Sequence, residues 1–147
     1  MRVKDECMTL HLSEHEALQF AQHPNRVRAQ TTTAPDQIWV GDLTYVPVAS
    51  HWWDVAAILD RHSRRLLAWR LGRTRDARFT GGMLAAALRR RQPPVGLIFH
   101  TDRGSEFLGA SVQALLVAHG ALQSMTRGGA PDENAHIESF FHSLKAE

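Results

Sequence analysis

The stretch Ile38–Val48, IWVGDLTYVPV, decides how the chain is read. Ile38, Val40, Asp42, Thr44, Val46 and Val48 alternate with Trp39, Gly41, Leu43, Tyr45 and Pro47, a period of two that predicts a β-strand. Asp42 therefore shares a side with three valines and an isoleucine. A carboxylate there is costly unless something compensates it. A bound cation would do so, and so would hydrogen bonds within a core or a turn.

Two further stretches carry carboxylates at comparable places. HTDRGSEF (100–107) follows the short apolar run Val95–His100, which puts Asp102 just beyond the C-terminal end of a predicted strand. Ligand sites gather at such strand ends in α/β sheets. APDENAHIESFFHSLKAE (130–147) begins the last predicted helix at Asp132 or Glu133 and puts Glu138 near its start. Ile137, Phe141 and Leu144 would form its buried stripe. Lys145 lies seven residues on from Glu138, two turns up and only ~20° round, with His142 near that line. Asp102 and Glu138 have 35 residues between them. Three carboxylates on three separate elements suit hard divalent cations held over a phosphodiester. Asp54 and Asp60 are rivals, and Asp60, in DRHSRR, reads as a turn residue.

Around these elements the chain predicts an α/β plan. Trp52–Leu59 and Arg64–Leu71 are further strands that make a meander with the first. Asp76 can cap a helix whose apolar positions are Phe79, Met83, Leu84, Ala87 and Leu88, and Pro93-Pro94 ends it. Val112, Leu115, Leu116 and His119 mark the next helix, which Gly120 stops. Ala121–Thr126 is a fifth short strand. Trp52-Trp53 reads as one core ring and one surface ring. Residues 1–35 form a separate segment: Ser13 and Glu16 suggest a capping box before a short helix, and NRVRAQTTTAPDQ reads as a linker.

Composition narrows the function classes. The 147 residues fit one domain, 44% apolar and 22% charged, ordinary values for a soluble globular chain. No apolar run approaches the ~20 residues of a membrane span. The N-terminus lacks an apolar signal core, and the lone Cys7 cannot form an internal disulfide, so a reduced, cytoplasmic (nucleoid-associated) setting is expected. His11, His15 and His23 lack the spacing of a recognised ligand set. Net charge is only +2, but ten arginines against one acid, Asp76, fall between Arg61 and Arg91. That stretch reads either as a phosphate-facing patch or as a solvated face whose Arg89–Arg91 run complements a helix C-terminus.

In order, QIWVGDLTYVPV, LDRHSRRLLAWRL, GLIFHTDRGSEF and APDENAHIESFFHSLKAE resemble the catalytic core of insertion-sequence transposases of the DDE superfamily, kin to retroviral integrases, from about Asn25 to Glu147. The resemblance implies an RNase H-like fold: a mixed five-stranded sheet, three strands antiparallel plus two parallel, flanked by helices. It makes residues 36–147 the integrase catalytic core, truncated at the C-terminus. Asp42, Asp102 and Glu138 fall on the family's metal-binding triad, which implies two Mg2+ or Mn2+ ions. Asn134, Ser139 and Lys145 fall on the family stretch NA-x-x-ES-F-F-x-x-L-K, and His100 and Arg103 flank the second Asp as in the family. Lys145, Asn134, Arg103 and His142 become candidate DNA contacts. Where family members often have Tyr-Asp-Asn-Ala before the Glu, this chain has Asp132-Glu133-Asn134-Ala135.

The implied reaction is hydrolytic nicking at element ends, followed by strand transfer in which a freed 3′-hydroxyl attacks target DNA. Its implied partners are DNA, further copies of the chain and a separately encoded helix-turn-helix protein. Three alternatives stand beside it. The chain could be an inactive or truncated remnant that only binds DNA or dimerises, another RNase H-like nuclease, or a nucleic-acid-binding module without chemistry.

Overall fold

The computed structural model describes residues 24–27, 30–73, 77–101, 105–125 and 139–143. The expected capping-box helix before residue 23 and the Asp76 cap lie outside them. The described elements run β1 (Ile38–Val48), β2 (His51–Asp60), β3 (Leu66–Gly72), α1 (Ala77–Arg91), β4 (Ile98–Thr101), a 3-10 turn (Ser105–Phe107), α2 (Ala110–Ala118) and β5 (Leu122–Met125). Residues 139–143 are helical. The sheet has the order β3-β2-β1-β4-β5. β1 pairs antiparallel with β2, and β2 with β3. β4 runs parallel to β1 and to β5. This is the expected mixed sheet.

Short connections fix the meander. Val48 opposes His51 across a two-residue turn, and Ala49 adopts φ 56° there, as tight hairpins require. Between β2 and β3, the buried Asp60 side chain holds the turn: Oδ2 accepts from the Ser63 N–H and hydroxyl, each at 2.8 Å. Oδ1 accepts the Asp36 N–H at 2.8 Å. The turn reading of Asp60 therefore holds, and its carboxylate is fully engaged by local donors.

Alternation along the strands gives the sheet two buried faces. On one, Trp39, Ala56, Ile58 and Phe99 pack with Met83, Leu84, Ala87 and Leu88 of α1 and with Val112 and Leu116 of α2. On the other, Val27, Ile38, Val40, Val55, Ala57, Leu59 and Ile98 pack with Phe141. The result is helices, sheet, then a second, shorter cover, in three layers. All five apolar positions assigned to α1 are buried. Val27, inside the stretch expected to be a linker, is buried in the second cluster, and Arg26 donates from its N–H to Ser124 Oγ at 2.7 Å.

Some local readings differ. Val95 is exposed, and Gly96 turns with φ 100°, so β4 starts three residues later than expected. Trp52 is 69% exposed, as one of the pair should be. Trp53 is only half-buried, and its ring lies 5.7 Å from the Arg73 guanidinium carbon. Neither tryptophan is a core ring.

One brace ties α1 to the start of β1. Arg91 meets Asp36 through two nitrogens, at 3.1 and 2.7 Å, and Asp36 Oδ1 also accepts the indole N–H of buried Trp39 at 3.0 Å. The Arg91 guanidinium is held above its usual pKa, chiefly by the hydrogen bond to Asp36, against the opposing effect of burial and with added attraction from Asp36 and Asp60. A raised folded value means that Arg91's stabilising share is fully present below the unfolded pKa and is lost only as pH rises through the folded one. It is therefore constant across the neutral range.

Candidate active site

Asp42 sits in the middle of β1, half-buried, opposite Ala57 of β2. Its Oδ1 accepts the Leu43 N–H at 2.8 Å, which fixes one carboxylate oxygen against the backbone. By alternation it shares its face with Ile38 and Val40, the face that also carries Phe141. The rivals are on the other face. Asp54 opposes Tyr45 and Asp60 opposes Trp39, so both point with the cluster under α1 and α2. The tight hairpin carried this signal in the sequence, because a two-residue turn fixes which residues oppose one another.

β4 delivers the second strand end. Thr101, its last residue, pairs with Gly41, the neighbour of Asp42, on one side and with Met125 on the other. The chain after it is clamped on its return. The Thr80 hydroxyl donates to the Glu106 carbonyl, and Gln123 Nε2 donates to the Phe107 carbonyl at 2.7 Å. The Phe107 ring meets Phe99 edge-on, with centroids 5.7 Å apart. Both flanks of residues 102–104 are thus tied to the sheet and α1.

Gly41 is a residue that sequence reasoning passed over. A Cβ there would lie 2.8 Å from Phe99 Cζ and 2.9 Å from Cε1. Those ring atoms belong to a fully buried side chain held against Phe107, so they have no room to retreat. Gly41→Ala is expected to destabilise the fold by about 1–3 kcal/mol through overpacking, beside Asp42. A chemical melt checks it, and an unchanged midpoint would contradict this packing.

The buried His100 ring places Nδ1 2.8 Å from Ser124 Oγ, the same hydroxyl that accepts the Arg26 N–H. This joins β4, β5 and the segment before β1 on Asp42's face. There too, Phe141 is buried among Val27, Ile38 and Val40. Phe140 is half-buried beside Val46, Val55 and Trp69, and His142 is exposed.

Of the residues expected at the site, Asp42 and His142 lie within the described residues. Asp102, Arg103, Asn134, Glu138 and Lys145 lie outside them. Among the described residues, no three His, Cys, Asp or Glu side chains form a metal-holding group.

Residues 32–131 match the family described as "Integrase core domain". Over 115 residues, the chain is 39% identical to "Transposase InsF for insertion sequence IS3A" of Escherichia coli (strain K12), covering 78% of this chain and 40% of that protein. It is equally similar to an "Insertion element IS600 uncharacterized 31 kDa protein" of Shigella sonnei, of which it covers 42%. The chain thus spans about two fifths of the length of these relatives. Among solved structures, the HTLV-2 integrase catalytic core domain in complex with magnesium superposes with TM-score 0.59 at 18% identity, over 78% of this chain and 74% of that one. A simian T-cell lymphotropic virus intasome in complex with a PP2A regulatory subunit gives 0.68 at 18% identity, over 95% and 54%. These two likenesses establish the fold, which is RNase H-like.

Proposed function

Because this chain belongs to the integrase core family, we propose that residues 36–147 form a transposase catalytic core that nicks DNA at element ends and joins the freed 3′-hydroxyl to target DNA. Asp42, Asp102 and Glu138 are its catalytic carboxylates. The observation that carries this reading is the position of Asp42. It shares a sheet face with the helical residues that directly follow Glu138, and it neighbours Gly41, which pairs with the residue directly before Asp102. These two neighbourhoods, of residues 139–143 on Asp42's face and of Thr101 beside Gly41, support reading the three carboxylates as one site.

The donors fit a divalent cation. Three carboxylates offer hard oxygen ligands, which suit Mg2+ or Mn2+. Bound there, a pair of such ions would supply Lewis-acid activation of the nucleophile and stabilisation of the leaving oxygen. The protein's part is positional. The Leu43 N–H orients Asp42, and Glu106 and Phe107 are anchored to α1 and β5. Phe141 seats the helical segment that follows Glu138. Lys145, with Asn134, Arg103 and His142, would meet the DNA backbone and offset its charge.

The same proposal takes DNA and further copies of the chain as partners, with a separately encoded helix-turn-helix protein recognising element ends. It places the reaction in the cytoplasm, at the nucleoid. Among the described residues, no helix is long and apolar enough to cross a membrane. A labelled duplex carrying an element end, incubated with the chain and Mn2+, should be nicked at the 3′ end. No cleavage across a range of ends would leave the remnant reading. Cleavage of RNA–DNA hybrids in preference to duplex would favour the nuclease reading.

A further inference from the structure

A cationic surface lies at the Ile38 end of β1, away from mid-strand Asp42, and two elements distant in sequence build it. The turn after β2 brings Arg61, Arg64 and Arg65, with Arg64 and Arg65 exposed. The last turn of α1 brings Arg89, Arg90 and Arg91. Specific contacts tie both elements to the start of β1 and to β3. The Arg61 N–H donates to the Ile38 carbonyl at 2.9 Å, Arg90 reaches the Leu67 carbonyl at 3.4 Å, and Arg91 grips Asp36, whose own N–H is bound by Asp60.

The carboxylates in this region are already committed. Asp36 is taken by Arg91 and Trp39, and the buried Asp60 by its own turn. Arg64, Arg65 and Arg89 face solvent with no carboxylate partner among the described residues. The macrodipole of α1 accounts for cations at its C-terminus, but not for those contributed by the turn. Arg64 stands at φ 63°, a left-handed conformation that favours glycine. The chain keeps a long cation at a turn position where the backbone calls for the smallest residue.

We propose that Arg64, Arg65 and Arg89 form a second contact for the phosphate backbone of duplex DNA, near the Ile38 end of β1, which lies about 13 Å along the strand from Asp42 at ~3.3 Å per residue. This rests on the reading that the chain acts on DNA, and it adds a surface distinct from the carboxylates. Arginine forks suit phosphate oxygens, and such contacts position a duplex without reading its sequence.

The test is binding of a labelled, sequence-unrelated duplex to the full chain in EDTA, across a salt series. Changing Arg64→Gly, Arg65→Gln and Arg89→Gln together should weaken binding by at least about tenfold at 0.1 M salt and flatten the log–log salt slope by roughly 2–3. Arg64→Gly alone should lower affinity while leaving the melting temperature unchanged or higher. Arg64→Lys should restore binding, which separates charge from structure. Wild-type affinity and slope in the triple variant would overturn the proposal. So would binding of poly-glutamate, but not duplex DNA, at this surface, since that would mark a site for acidic protein. The carboxylate reading fails by a separate readout, Mn2+-dependent nicking retained by Asp42→Asn.

Discussion

Asp42→Asn is expected to remove nicking and strand transfer while leaving the fold intact. Asparagine keeps the shape of aspartate and an Oδ1 that can still accept the Leu43 N–H, so β1 has no reason to move. What is lost is one anionic oxygen donor in a set of three. Losing a single donor aimed at developing charge commonly costs ~10²–10³ in rate, and losing a cation ligand should cost at least that, about 4 kcal/mol of barrier at a thousandfold. The stability readout differs in sign with conditions. Without cations, like charges repel, so the neutral variant should melt no lower than wild type. With Mn2+, wild type should gain melting temperature by ligand linkage and the variant should gain much less. Equal activity, or an equal Mn2+ shift, in the variant would remove Asp42 from the site.

Phe141→Ala should be nearly as damaging by a different route. Phe141 is the buried anchor among the described helical residues 139–143, packed on Val27, Ile38 and Val40. Truncating a buried phenylalanine costs ~3–5 kcal/mol. The cost falls on a short segment, so we expect local undocking more than global unfolding. Three kcal/mol corresponds to more than ~10² in a docking equilibrium. Nicking should fall by about that factor, since Glu138 directly precedes this segment. Hydrogen exchange should show residues 139–143 losing protection while β1 and β4 keep theirs. Phe141→Leu should recover most of the activity. Full activity in Phe141→Ala would mean that this packing does not position the third carboxylate.

The sequence made the sheet legible because its strands follow their chemistry closely. Alternation from Ile38 to Val48 gave β1 its observed bounds, and the helical spacing of Phe79, Met83, Leu84, Ala87 and Leu88 gave α1 its buried face. What escaped the reading depends on tertiary partners. Val95 is apolar yet exposed, because Gly96 turns the chain before β4. Val27 sits in a polar stretch yet is buried, because Ser124 and Gln123 of β5 hold Arg26 beside it. Gly41 looks like any strand glycine until the Phe99 ring lies against it.

The candidate site was legible in part for the same reason. Alternation predicted which residues accompany Asp42. Excluding Asp54 and Asp60 needed the register, in which Tyr45 and Trp39 oppose them on the far face. Asp102 and Glu138 were readable only through motif and spacing, and their roles stand as proposals that solution experiments address.

The central claim is that Asp42, Asp102 and Glu138 act together on one divalent-cation centre. Titration of Mn2+ into wild type and into Asp42→Asn, Asp102→Asn and Glu138→Gln tests it most directly, without any need for turnover. Residues that merely support metal ligands typically matter 10–100-fold for affinity, so each ligand change should weaken Mn2+ binding by at least about tenfold. Wild-type Mn2+ affinity in any one of the three folded variants would contradict the account.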